Sequence, residues 1–278
     1  MLLCVATMAA GAGRVDAEGV RLWRRLLDEW DAVQTMSYRL RKAERLCHGE
    51  LVREEVFIKL RKPDSFYIAG IAPRRGQEVI YVGSRDRNHL TVHPGHFPDF
   101  TLSLDIRGSL VTRRQHHIVA HSGLQYTLDG LRESLMAVRR GATHGELRYG
   151  GKTTLFGRPA QIVVMAAGDD DLVPLRARED ETLIAFGERI GQDPHVILCA
   201  NPSVDSLTDE LEARDYSVPV HYASKTELVL DDATGLPLRV TMWDAKANLY
   251  ERYEYLEVKI NPPLTDIDFN PDNPAYDF

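Results

Sequence analysis

The chain is poor in features that mark several large protein classes. Three of its 278 residues are cysteine (Cys4, Cys47 and Cys199), and none forms a CxxC pair. This excludes a zinc ribbon or a thioredoxin-like redox motif. No run approaches the ~20 consecutive apolar residues of a membrane-spanning helix. Lys and Arg number 34 against 41 Asp and Glu, a net charge of −7. The broad basic face that neutralises nucleic-acid phosphates is therefore missing, and no nucleic-acid partner is expected. No GxSxG, GxGxxG, Walker loop or HExxH pattern is present, so no catalytic residue, cofactor or metal is predicted. The acidic "GDDD" at 168–171 lacks the alternating oxygen ligands of a calcium loop. With 44% hydrophobic and 27% charged residues, the remainder has the profile of a soluble globular protein.

The histidines fall in two groups that could offer metal ligands. His117 and His121 stand four apart in "HHIVAH", a spacing that seats a metal on one helix face. No Glu follows His117, and a strand or loop before Ser122 fits equally well. His89, His93 and His96 cluster in a Pro-Gly loop. Both groups are read as satisfied or surface histidines, and a metal-dependent enzyme is only the third reading of the chain. Cys47 and Cys199 are read as two buried free thiols, the alternative being a pair formed in an oxidising compartment.

The N-terminus has a small-residue apolar run from Leu2 to Ala12. Ala10-Gly11-Ala12 and Val15-Asp16-Ala17 are Ala-x-Ala-like sites. Residues 1–17 therefore resemble the apolar and cleavage portions of a secretory signal, without its positive n-region. Export to the periplasm or cell envelope is expected, a tail being the alternative.

What the chain does have is periodicity. Val20, Trp23, Leu26, Leu27, Trp30 and Val33 recur at helical spacing. "SYRLRKAERL" (37–46) and "ELVREEVFIKLR" (50–61) read as two strands joined by a turn at Cys47-His48-Gly49. Strands follow to about residue 95. Leu124, Leu128, Leu131, Leu135 and Val138 then form a helical stripe, with Ser122 as cap and Gly141 as stop. Strands return at 145–167 and 225–261, with turns at Asp231–Gly235 and Asp244–Asn248. Tyr250, Tyr253 and Tyr255 are read as sheet core and rim. The class is α+β: a curved antiparallel sheet covered by helices.

Between these strands lies a helical unit. Thr182 is an N-cap, and Leu183, Phe186 and Ile190 share one face of a short helix that Gly191 ends. Asp193 caps a second helix with Pro194 at its first position, and Asn201-Pro202 stops it. "LVPLRA" (172–177) and "DYSVPV" (215–220) flank the pair as strands, giving a β-α-α-β order.

Two resemblances follow from these residues. The leading helix, the paired strands through "KLRKPDSFYIA", the late "LDDATGLPLRVTMWDAKANLYERYEYLEVKIN" and the ending "LTDIDFNPDNPAYDF" resemble an uncharacterised family of bacterial envelope proteins. That family is known as a domain of unknown function and is related to the LolA-like (LolA/LolB) fold. The resemblance implies a half-barrel over residues 18–169 and 222–278, with an apolar groove for acyl chains. The unit at 170–221 resembles a LysM module, the small domain that binds N-acetylglucosamine polymers such as peptidoglycan. Glu181-Thr182-Leu183 matches its Asp-Thr-Leu, while Asp180 stands where Gly is usual and "LEARDYSVP" replaces a Pro-Gly turn. The resemblance implies a glycan groove formed by Asp180, Glu181 and Thr182 on one side and Asn201, Pro202, Ser203 and Val204 on the other. The expectation is a non-enzymatic envelope protein that contacts peptidoglycan through the insert. The alternative is a lipid or lipoprotein carrier that holds acyl chains in the outer domain, its insert only structural.

Overall fold

The computed structural model describes residues 14–97, 100–139, 145–167 and 172–278. Most of the expected signal segment, Cys4, Gly141 and the acidic 168–171 stretch lie outside these residues. In chain order the strands are β1 (Arg14–Val15), β2 (Thr35–Arg45), β3 (Leu51–Arg61), β4 (Ser65–Ala72), β5 (Glu78–Val82), β6 (His89–His93), β7 (Leu102–Asp105), β8 (Gly145–Leu155) and β9 (Arg158–Ala167). Then come β10 (Leu172–Arg176), β11 (Glu181–Thr182), β12 (Glu210–Leu211), β13 (Asp215–Pro219), β14 (Lys225–Asp231), β15 (Pro237–Trp243) and β16 (Leu249–Ile260). The helices are α1 (Ala17–Ala32), α2 (Ser109–Thr112), α3 (Leu124–Arg139), α4 (Leu183–Ile190) and α5 (Pro194–Ala200). Among the described residues no helix is long and apolar enough to cross a membrane.

Twelve strands form one open curved sheet in the order β1-β8-β9-β14-β15-β16-β2-β3-β4-β5-β6-β7. Every pairing is antiparallel except the short β1–β8 contact. The two-residue alternation of strands decides which face is covered. Tyr38, Ile58, Phe66, Tyr81, Met165, Leu228, Met242, Tyr253 and Tyr255 belong to the main core. Phe66 and Tyr67 are chain neighbours on opposite faces, so Tyr67 joins Ile80 and Phe269 in a separate cluster behind the sheet. Phe269 plugs that cluster from the Asp266–Phe269 turn and is fully buried.

The predicted leading helix is α1, capped by Asp16, whose carboxylate accepts from Gly19 N at 2.6 Å and from Tyr149 N at 2.6 Å. Its buried stripe of Leu22, Trp23, Leu26 and Trp30 joins the main core. Burying each such side chain contributes roughly 1.5–3 kcal/mol before entropy is set against it. Between β7 and β8 the chain crosses from one end of the sheet to the other. That crossing carries α2, the Val119–His121 3₁₀ turn and α3. Leu124, Leu128 and Leu131 of α3 are buried as the stripe predicts. Lys62-Pro63 lies in the turn between β3 and the aromatic strand β4, and its peptide bond is cis.

The helical unit hangs between β9 and β14, which are neighbours in the sheet. β10 pairs antiparallel with β13 around α4 and α5. Thr182 caps α4 through Ala185 N at 3.3 Å, and Gly191 ends it in the left-handed conformation that glycine permits. Asp193 caps α5 through His195 N at 2.8 Å. Leu183, Phe186, Ile197, Tyr216 and Val218 fill the unit and are continuous with the main core.

The free-thiol reading of the cysteines is corrected. Cys47 and Cys199 are exposed and joined in a disulfide, their Cα atoms 4.9 Å apart. The turn between β2 and β3 and the last residues of α5 bring them together across a sequence separation of 152, a proximity no local pattern encodes.

Candidate functional site: a buried histidine–carboxylate cluster beside a cavity

Four segments distant in sequence meet where the insert touches the sheet. They are His116-His117 from the crossing, Asp193 and His195 from the start of α5, Tyr222 from the return to the sheet, and Tyr250-Glu251 from β16. His117 lies between two carboxylates, with Nδ1 3.0 Å from Asp193 Oδ2 and Nε2 3.0 Å from Glu251 Oε1. Burial opposes its protonation, but the two carboxylates outweigh burial and hold its pKa well above the usual histidine value. Burial would likewise raise Asp193 and Glu251, yet the facing imidazole keeps both carboxyls below their ordinary values.

The remaining contacts fix the cluster. His116 Nδ1 is 2.6 Å from Glu251 Oε1, and its Nε2 is 2.8 Å from the Arg45 carbonyl. Tyr222 donates to Glu251 Oε1, and Tyr126 donates to Asp193 Oδ2 at 2.8 Å. His195 stacks on His116 with centroids 3.7 Å apart, and its Nδ1 is 2.7 Å from the Tyr250 hydroxyl. Burial, reinforced by the neighbouring His116, pushes the His195 pKa well below the usual value. His117 and His195 are therefore pushed in opposite directions a short distance apart, because one has two carboxylate partners and the other a phenol and a second ring.

The network extends under the sheet. Tyr253 donates to Glu44 Oε1 at 2.8 Å, and Lys42 bridges Glu44 at 3.4 Å and Glu54 at 3.0 Å. Arg74 completes it 3.1 Å from Glu54. These groups lie along a smaller cavity of about 170 Å³.

The larger cavity holds about 740 Å³, within the range of small-molecule sites. It lies between α3, the ends of β8 and β9, and the insert. Leu131, Leu135, Met165, Ala167, Val220 and Met242 supply apolar walls, while His117, Asp193, Tyr222 and Glu251 supply a polar one. His117, His121 and Thr127 line both cavities, so the histidine turn is the partition between them.

A family model for proteins of unknown function, DUF1571, matches residues 33–170 and 203–278. The chain belongs to the DUF1571 family. The match omits 171–202, which holds α4 and α5, and resumes before β13. No curated protein matches this DUF1571 chain. Among solved structures it is similar to the Pseudomonas aeruginosa MucA/MucB complex (14% identity, TM-score 0.41), covering 91% of this chain and 61% of that one. It therefore spans less than two thirds of MucB. It is also similar to the Mycobacterium tuberculosis lipoprotein LppX (11% identity, TM-score 0.43), covering 90% of this chain and 98% of that one. A LolA superfamily protein from Nitrosomonas europaea is similar at 9% identity and a TM-score of 0.33, with 91% and 98% covered.

The glycan-site residues expected for this DUF1571 chain occupy two separate loops of the insert. Asp180 takes a positive φ of 59°, while Glu181 is held by Arg189 at 2.7 Å and by Arg178 N at 3.0 Å. Thr182 is engaged as the α4 cap. Asn201 is buried, accepting from Ser217 N at 3.0 Å and donating to the Ile197 and Ser217 carbonyls at 2.7 Å each. Val204 is buried, Pro202 is exposed, and the exposed Ser203 accepts from Arg214 at 3.0 Å. Among the described residues no hydrogen bond joins the first group to the second.

Sequence reasoning considered His117 only together with His121, as a metal pair on a helix, and set the pair aside. The 3₁₀ turn places His121 against Tyr126 instead, with ring centroids 4.3 Å apart. Cys47, Cys199 and His195 do bring potential ligand atoms within 4.8 Å of one another, but the sulfurs are committed to the disulfide. His116, Asp193, His195, Tyr222 and Glu251 were missed as a group. One signal was available: Glu251 is in phase with the buried Tyr253 and Tyr255 of its strand, an inward position for a carboxylate.

Proposed function

We propose that this DUF1571 chain binds an amphiphile, with the apolar tail held in the cavity under the sheet and the head against the histidine–carboxylate wall. This is the carrier reading, in which lipid or lipoprotein acyl chains are the ligand and no catalysis is involved. The carrying observation is the cavity of about 740 Å³ with one aliphatic side and one ionised side. A purely structural interior would close such a space, since interiors pack as densely as organic crystals. The Cys47–Cys199 disulfide is in keeping with the oxidising compartment expected for an envelope protein. Organic extraction of protein purified from its native envelope, followed by mass spectrometry, tests the reading. A stoichiometric acyl-bearing molecule is the expected result. Protein free of such a molecule that also takes up none from added lipid would refute it.

A second reading gives the insert its own ligand, as a LysM-like module on peptidoglycan. The β10-α4-α5-β13 order and the exposed Pro202-Ser203 corner favour it. Co-sedimentation with insoluble peptidoglycan tests it, and protein that stays in the supernatant would remove it.

A further inference from the structure

The carrier reading leaves the head of the ligand unspecified, and the cluster constrains it. Glu251 is 1% exposed and lines the larger cavity. Its Oε1 is saturated by His116, His117 and Tyr222. Its Oε2 is buried and accepts no hydrogen bond among the described residues, the nearby Tyr253 hydroxyl being donated to Glu44 Oε1. A carboxylate oxygen accepts more than one hydrogen bond, and an unmet one in a dry site costs roughly 1–3 kcal/mol. Buried polar groups in native structures are almost always hydrogen-bonded.

The charge around it points the same way. Six residues lining the cavity are Asp or Glu, and Arg132 is the one guanidinium among the described lining residues. Arg107 and Arg148 pair with Glu188 and Glu146 from outside the lining, and carboxylates stay in excess even with His117 protonated. A free carboxylate head would meet this field and would bring acceptors to a place already supplied with them. A head that brings N–H donors and positive charge meets both conditions.

We infer that the cavity selects amphiphiles with a primary ammonium head, which donates to Glu251 Oε2 while the tail lies along the aliphatic wall. This rests on the carrier reading, so the test separates the two. Isothermal titration calorimetry on the full chain, below micellar concentrations, compares four ligands of one tail length: dodecylammonium, dodecanol, dodecanoate and dodecyltrimethylammonium. Dodecylammonium is expected to bind at least tenfold more tightly than dodecanoate. It should also exceed dodecyltrimethylammonium, which carries the charge without a donor, and dodecanol should fall between. Glu251→Gln should bring dodecylammonium affinity down to within about threefold of dodecanol, and an undiminished preference for ammonium in that variant would overturn the inference. Dodecanoate or dodecyltrimethylammonium binding as tightly as dodecylammonium would overturn the inference and leave the carrier reading intact. Absence of binding by all four would overturn both. If Glu251→Gln fails to fold, the four-ligand order in the unaltered chain decides alone.

Discussion

The outer loops of the insert and its second helix put their polar residues to different ends. In the outer loops Glu181 turns to Arg189, Thr182 to its own helix, and Asn201 to Ser217 and Ile197. Each of these contacts begins and ends within the insert. At the start of the second helix Asp193 reaches His117 and Tyr126 and His195 reaches Tyr250, and at its far end Cys199 is bonded to Cys47. Each of those leaves the insert for the sheet or the crossing. Polar residues spent on their own module brace it, whereas polar residues shared between two layers create a seam. The larger cavity opens at that seam, so docking of the insert and shaping of the cavity are one problem.

The largest loss of stability is expected at the disulfide. Replacing Cys47 and Cys199 by Ser removes a cross-link over a separation of 152 residues. The chain-entropy model gives a loss on the order of 4–5 kcal/mol, to be read from the shift in urea midpoint. Asp193→Ala comes next. It leaves the buried His117 with one carboxylate and removes the α5 cap and the acceptor of Tyr126, for a loss of about 3 kcal/mol in the same assay.

The pH dependence sharpens the comparison, because titrating groups with large opposite shifts lie at the seam. The pKa of His117 is raised, so its stabilisation is complete below the unfolded histidine value and is lost as pH rises through its native value. Asp193 and Glu251 are depressed, so their stabilisation is present above the unfolded carboxylate value and is lost as pH falls through their native values. His195 is also depressed and opposes folding as pH drops below the unfolded histidine value. Urea midpoints should therefore peak near the unfolded histidine value, between mildly acidic and neutral pH, and decline above it. His117→Gln should abolish the alkaline decline, and an unchanged decline in that variant would assign it elsewhere. The smallest effect is expected in the outer loops, where Thr182→Ala removes a cap worth about 1 kcal/mol and should leave ligand binding untouched.

Much of the scaffold was legible in the sequence. The period-2 alternation of 37–61 gave the β2–β3 hairpin, the leucine stripe gave α3, and Thr182, Gly191, Asp193 and Pro194 bounded two helices whose caps form as expected. These signals are local, so local reading suffices. The cluster was not legible because its members come from residues 116–117, 193–195, 222 and 250–251. They meet only after the crossing traverses the sheet and the insert docks. The four-residue spacing of His117 and His121 has meaning only on a helix, and a 3₁₀ turn forms at Val119–His121. Inward-phased charge was the better guide: Lys42 and Glu44 follow Tyr38 and Leu40 on one face of β2 as Glu251 precedes Tyr253 on β16.

The central claim is that the larger cavity is a binding site for a tailed molecule. Ala167 lies two residues after the buried Met165 on β9, on the same face, and lines that cavity. The most direct measurement is titration of the full chain with a fluorescent aliphatic probe, comparing the unaltered protein with Ala167→Trp, whose indole would occupy the space. Saturable one-to-one binding that weakens at least tenfold in Ala167→Trp, with thermal unfolding unchanged, is the predicted result. Equal binding by both proteins, or binding by neither, would contradict the claim.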